Sequence, residues 1–246
     1  MSPMVSLVRA CTAGMTAASL RTMLVMALAS LSIPAMPGTL VSTVPERPDP
    51  GAVYLIYMHG RGIDDGARGT AENNQRALRA LAKRDFVVVS EQRPTGVRWK
   101  FPDDHEKYAR RIAAEVGRLL DAGVSAGNIV VSGFSRGGTL TLIVSSLLDR
   151  ADLRYVVIAG CPSERGQYKD AVPVLGDRYA PKLKGRFLSL RDAADEDFGS
   201  CAALFGKAAP TPDFKEVTLS SGRGHAAFAG DDIDWIQPIV DWVRAR

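Results

Sequence analysis

Between positions 52 and 219 the chain alternates two hydrophobic patterns. Short apolar runs at 52–58, 86–90, 130–134, 153–161, 186–190 and 214–219 have the length and composition of strands buried on both faces. Between them lie longer stretches whose apolar residues recur at helical spacing. In 71–83 these are Ala77, Leu78, Ala80 and Leu81; in 104–122 they are Tyr108, Ile112, Val116, Leu119 and Leu120. Apolar residues dominate 139–148, and from Asp231 onward Trp235, Ile239, Trp242 and Val243 fall on one helical face. Strand and helix alternating in this way predict a mainly parallel sheet with helices on both sides, the α/β class. The stretch 162–185, with Pro173 and Pro181, carries weak periodicity and is the natural place for a small cap; 91–104, with Pro94, Trp99 and Pro102, reads as loop. Trp99 there either lines a pocket or caps the core.

The first 40 residues differ in kind. They hold no carboxylate, their only charges are Arg9 and Arg21, and 23–33 is an apolar run ended by Pro34. Such a run is shorter than the roughly 20 residues that span a bilayer, and Ala27, Ala29, Ala35 and Gly38 offer cleavage points. Residues 1–40 therefore read as a signal peptide or an uncleaved N-terminal anchor, with Met15 and Met23 as alternative starts. The expected location is periplasmic or secreted. The chain of 246 residues is 46% hydrophobic, and the rest, 41–246, reads as one α/β domain.

The formal net charge is +4, two of which sit in the leader, and acids and bases intermingle along the body. No basic tract points to nucleic acid. Cys11 belongs to the leader, which leaves Cys161 and Cys201 as a pair that an oxidising compartment would allow to bridge. His and Cys nowhere take metal-ligand spacing, so no metal and no cofactor is expected.

One run ends in chemistry: Gly133-Phe134-Ser135-Arg136-Gly137 closes a strand and opens a helix. A serine on a sharp strand-to-helix turn is pushed into the open by a strained backbone, and the helix behind it favours developing negative charge. Ser135 is thus a candidate nucleophile. Upstream, the 52–58 run delivers His59-Gly60-Arg61-Gly62 to the same sheet edge, where the backbone N–H of Arg61 and that of Arg136 could hold an oxyanion. Downstream, the run at 186–190 exits into Asp192, Asp195, Glu196 and Asp197, and the last strand exits into His225. Of three histidines, His59 belongs to the upstream loop and His105 begins a scaffold helix, so His225 is the candidate base. Neither glycine motif completes a dinucleotide fingerprint or a phosphate loop.

With these motifs in this order, residues 52–246 resemble the α/β-hydrolase superfamily, most of all its small bacterial carboxylesterases and dienelactone hydrolases. The resemblance implies an α/β-hydrolase fold with a minimal lid and a triad of Ser135, His225 and an aspartate. It favours Asp195 as the acid, since related chains place it a few residues beyond the turn that ends the strand; Asp192 and Asp197 stay open. It implies hydrolysis of a small carboxylic ester through an acyl-enzyme. A Cys161–Cys201 bridge would pin the acid-bearing segment to its neighbour. The side chains of Arg61 and Arg136 either favour an anionic ester or pair with nearby acids. The rival readings are a binding protein on a hydrolase scaffold and a peptidase or lipase of the same fold, the lipase disfavoured by the lack of a long lid insertion.

Overall fold

The structure is a computed structural model and describes residues 38–245; the leader reading therefore lies almost wholly outside the described residues. Seven strands, β1 (Leu40–Val41), β2 (Val53–Met58), β3 (Phe86–Val89), β4 (Ile129–Phe134), β5 (Arg154–Ile158), β6 (Arg186–Asp192) and β7 (Asp213–Leu219), form one sheet in the order β1-β3-β2-β4-β5-β6-β7. Every pairing among them is parallel. The sequence pattern identifies all but β1, whose two half-buried residues are too few to show a period.

Side chains of the central strands alternate between two apolar layers, which is why these runs are continuously hydrophobic. Tyr54, Ile56, Met58, Val131, Tyr155 and Val157 face one layer together with Ile112, Val116 and Leu119 of α3 (Asp103–Asp121) and Leu140, Ile143 and Val144 of α4 (Arg136–Leu148). Leu55, Tyr57, Val130, Val156 and Ile158 face the other, with Leu78 and Leu81 of α2 (Thr70–Ala82) and Trp235, Ile239 and Val243 of α7 (Ile233–Arg244). Helix α4 is buried almost throughout, which explains why its sequence is apolar without a polar face. Helix α7 carries Pro238 in its interior. Three further short helices complete the order: α1 (Arg61–Asp64), α5 (Ala171–Val174) and α6 (Ala202–Phe205). Helix α5 and the helical turns after it form the expected cap segment.

From β2 the chain crosses to β3 on one side, whereas from β4 it crosses to β5 on the other. The carboxyl ends of β2 and β4 therefore flank the point where the winding reverses. In open parallel sheets the crevice for ligands opens at that point.

Candidate active site

Ser135 stands at that crevice, between β4 and α4. Its backbone angles are φ 57° and ψ −119°, a region that costs a non-glycine residue about 1–3 kcal/mol. The surroundings hold it there. The Ser135 N–H donates to Ile158 O at 2.9 Å on the neighbouring strand, and its carbonyl accepts from Thr139 N at 3.0 Å inside α4. Gly137 lies so close to β2 that a Cβ there would sit 1.9 Å from Met58 O, which makes glycine obligatory two residues after the serine. Gly60 also passes close, though less so: a Cβ there would lie 3.2 Å from that of Ser135.

Arg61 and Arg136 each occupy the first position of a helix, so neither backbone N–H has an acceptor within its own helix. Both residues line a cavity with Ser135. Their guanidinium groups are paired with acids. Arg61 meets the exposed Asp65 at 2.9 Å. Arg136 reaches inward to the fully buried Asp64, donating to Oδ2 at 2.5 Å.

Asp64 is the centre of a network that the sequence did not announce. Arg93, itself 2% exposed, donates to Asp64 Oδ1 and Oδ2, both at 2.9 Å, and to the His59 carbonyl at 2.7 Å. The Arg93 N–H donates to His59 Nε2 at 3.0 Å, so that nitrogen must be unprotonated. Burial, then the Arg93 guanidinium, lowers the His59 pKa to about 4, which keeps the ring neutral. One carboxylate thus ties the loop bearing Arg61 to the helix bearing Arg136. The Arg93 guanidinium lies against both the Trp99 and Tyr108 rings, 5.2 and 5.3 Å from their centroids.

On the far side of the crevice, His225 Nδ1 lies 2.7 Å from Asp195 Oδ2. The Asp195 side chain is 2% exposed, and its other oxygen accepts from the backbone N–H groups of Asp197 and Phe198, both at 3.1 Å. The other two carboxylates are committed elsewhere. Asp192 accepts from Ala194 N at 2.9 Å, Ser221 N at 3.0 Å, Ser221 Oγ at 2.6 Å and Gly224 N at 3.2 Å, stapling the exit of β6 to the loop that carries His225. Burial raises its pKa, yet these donors outweigh burial and the net shift is downward. Asp197 accepts from Gln167 N at 2.9 Å and Gln167 Nε2 at 2.5 Å. The His225 ring is stacked between Phe134, 4.7 Å away, and Phe198, 4.9 Å away. Phe134 is the variable residue before Ser135 in the glycine motif, a position to which the sequence pattern gives no role.

Cys161 and Cys201 are joined by a disulfide, with Cα atoms 5.3 Å apart. Next to it Pro162 forms a β-bridge with Phe198, so the cross-link and the histidine's stacking partner share one short segment. His105 is not merely scaffold. It is buried, lines the cavity that Ser135, Arg61 and Arg136 share, and meets Trp99 and Phe101 edge-on at 5.2 and 5.0 Å. Burial, then the Arg136 guanidinium, lowers its pKa to about 4. Trp99 lines that cavity too, besides packing on the core. Among the described residues no group of three or more His, Cys, Asp or Glu gathers as metal ligands would.

The fold compares with solved structures. An esterase from Rhizomucor miehei superposes with TM-score 0.57 at 18% identity, covering 80% of this chain and 77% of its own. The chain has the α/β-hydrolase fold. An esterase from the archaeon Pyrobaculum calidifontis superposes with TM-score 0.53 at 18% identity, covering 81% and 79% of the two chains. A Klebsiella pneumoniae protein assigned to the dienelactone hydrolases gives 0.52 at 16% identity, covering 82% and 90%. No protein-family model and no curated protein sequence matches the chain. At these identities the shared property is the α/β-hydrolase architecture, and chemistry has to be argued from the residues.

Proposed function

We propose that this α/β-hydrolase-fold protein is a serine hydrolase that cleaves small carboxylic esters through an acyl-enzyme on Ser135. The observation that carries the reading is the 2.7 Å contact between His225 Nδ1 and the buried Asp195 carboxylate, beside a serine held in a strained turn on the same cavity wall. With the Nδ1 proton donated to Asp195, the Nε2 lone pair is free to take the Ser135 proton as Oγ attacks the ester carbonyl. The oxygen of the tetrahedral intermediate then accepts from the Arg61 and Arg136 N–H groups, which carry positive partial charge as helix starts. His225 returns the proton to the departing alkoxide, and water repeats the sequence to release the acid. Each step uses side chains, two backbone N–H groups and water.

The same reading includes export to the periplasm or the medium. Its supports are the apolar leader and a cysteine pair at bridging distance. The test of the chemistry is labelling of the purified protein by a fluorophosphonate, compared with Ser135→Ala and His225→Ala, together with p-nitrophenyl acetate and butyrate hydrolysis. Loss of labelling and turnover in both variants is expected. A folded wild type that neither labels nor turns over ester would leave a binding protein on a hydrolase scaffold, and loss of activity without loss of labelling in Ser135→Ala would move the nucleophile elsewhere.

A further inference from the structure

Two cavities meet at the candidate nucleophile, and among the described residues Ser135 and Arg61 alone line both. The larger, about 390 Å³, has aromatic walls from Trp99, Phe101, Tyr168 and Phe198. The smaller, about 180 Å³, is bordered by Gly60, Thr70 and Asn73, by Phe134 and Phe228, and by His225, and less than half the volume of the larger one is open there. His225 does not line the larger one.

This asymmetry gives the site a direction. The histidine that receives the serine proton must deliver it to the leaving oxygen, and proton delivery needs heavy atoms within about 3 Å, directly or through one water. The alcohol therefore sits in the cavity that His225 borders. The acyl carbon is fixed between Ser135 and the two N–H donors, and its substituent is left with the opposite side. Resting on the serine-hydrolase reading above, we infer that the substrates are esters joining an aromatic acid to a small alcohol, with the aromatic acyl group in the larger cavity. Flat rings suit walls made of four aromatic side chains, where stacked and edge-on contacts add to the burial of apolar surface. Helix α5 contributes Ala171 and Val174 to the same wall, so the cap segment closes over the acyl group and leaves the alcohol side alone.

The test is a pair of isomers with opposite polarity, methyl phenylacetate and benzyl acetate. They contain the same atoms and release alcohols of similar acidity, so a difference in kcat/KM reports which side takes the ring. Methyl phenylacetate is expected to be preferred by at least about tenfold, the scale on which an apolar pocket discriminates. Val174→Trp, which fills the larger cavity, is expected to reduce that ratio by about tenfold, with folding checked by thermal unfolding and the active serine by fluorophosphonate labelling. Equal turnover of the two isomers, a preference for benzyl acetate, or turnover of neither by a protein that labels at Ser135 would overturn the inference and leave the serine-hydrolase reading standing. A ratio unmoved by a folded Val174→Trp would overturn it too. Absence of both labelling and turnover would remove that reading, and the inference with it.

Discussion

At the scale of single residues, the site is held by commitments that can be broken one at a time. Ser135 keeps a backbone conformation that suits glycine, so Ser135→Gly is expected to raise stability by about 1 kcal/mol while abolishing activity, read as a higher urea midpoint and zero turnover. Ser135→Ala should remove activity without that gain. Three aspartates lie at the end of β6 or just beyond it, and their partners give them different roles. Asp195→Asn is expected to lower kcat by roughly 10⁴-fold with little loss of stability, because the imidazole tautomer is no longer fixed. Asp192→Asn should act through stability and loop position, since four hydrogen bonds to a buried carboxylate are at stake. Asp64→Asn leaves the buried Arg93 and the half-buried Arg136 sharing a neutral partner. A loss of about 3–5 kcal/mol in urea unfolding is expected from uncompensated buried charge. The pairings of Asp64 are not readable in the sequence, because 64, 93 and 136 are remote along the chain and each residue type is common.

At the scale of elements, the strand-to-helix turn and the upstream glycine loop are legible because their chemistry is local. Small residues must occur at fixed offsets where backbone passes backbone, as Gly137 does against Met58. The stacking of His225 between Phe134 and Phe198 is different: it is assembled from β4, the segment after β6 and the turn after β7. The disulfide reaches into this assembly through Pro162 and Phe198. It closes a loop with a sequence separation of 40, so Cys161→Ser with Cys201→Ser is expected to cost about 2–4 kcal/mol in urea unfolding. A fall in kcat larger than the change in KM is the expected accompaniment, as the histidine's stacking partner loosens.

At the scale of the whole molecule, the two buried neutral histidines set a pH dependence. His59 and His105 titrate near pH 4 in the folded protein and near 6.5 when unfolded. Between those values the unfolded chain binds more protons, so unfolding free energy falls as pH drops from 6.5 to 4, on the order of 3 kcal/mol per histidine. The lowered carboxyl groups of Asp192 and Asp197 add losses in the same direction at still lower pH. Urea midpoints measured from pH 7 to pH 4 should therefore decline steadily, and His59→Gln should flatten the slope. By itself the sequence determined the class of fold, the order of its strands and longer helices apart from β1, and the turns that carry Ser135 and His225, because hydrophobic period and glycine spacing are local consequences of strand and helix geometry. The tertiary structure alone decided which of three aspartates meets His225, where two arginines place their charge, and on which side of Ser135 the larger cavity lies. Those are distances between residues remote in the chain, and they follow from parallel strands bringing their carboxyl ends to one edge of the sheet.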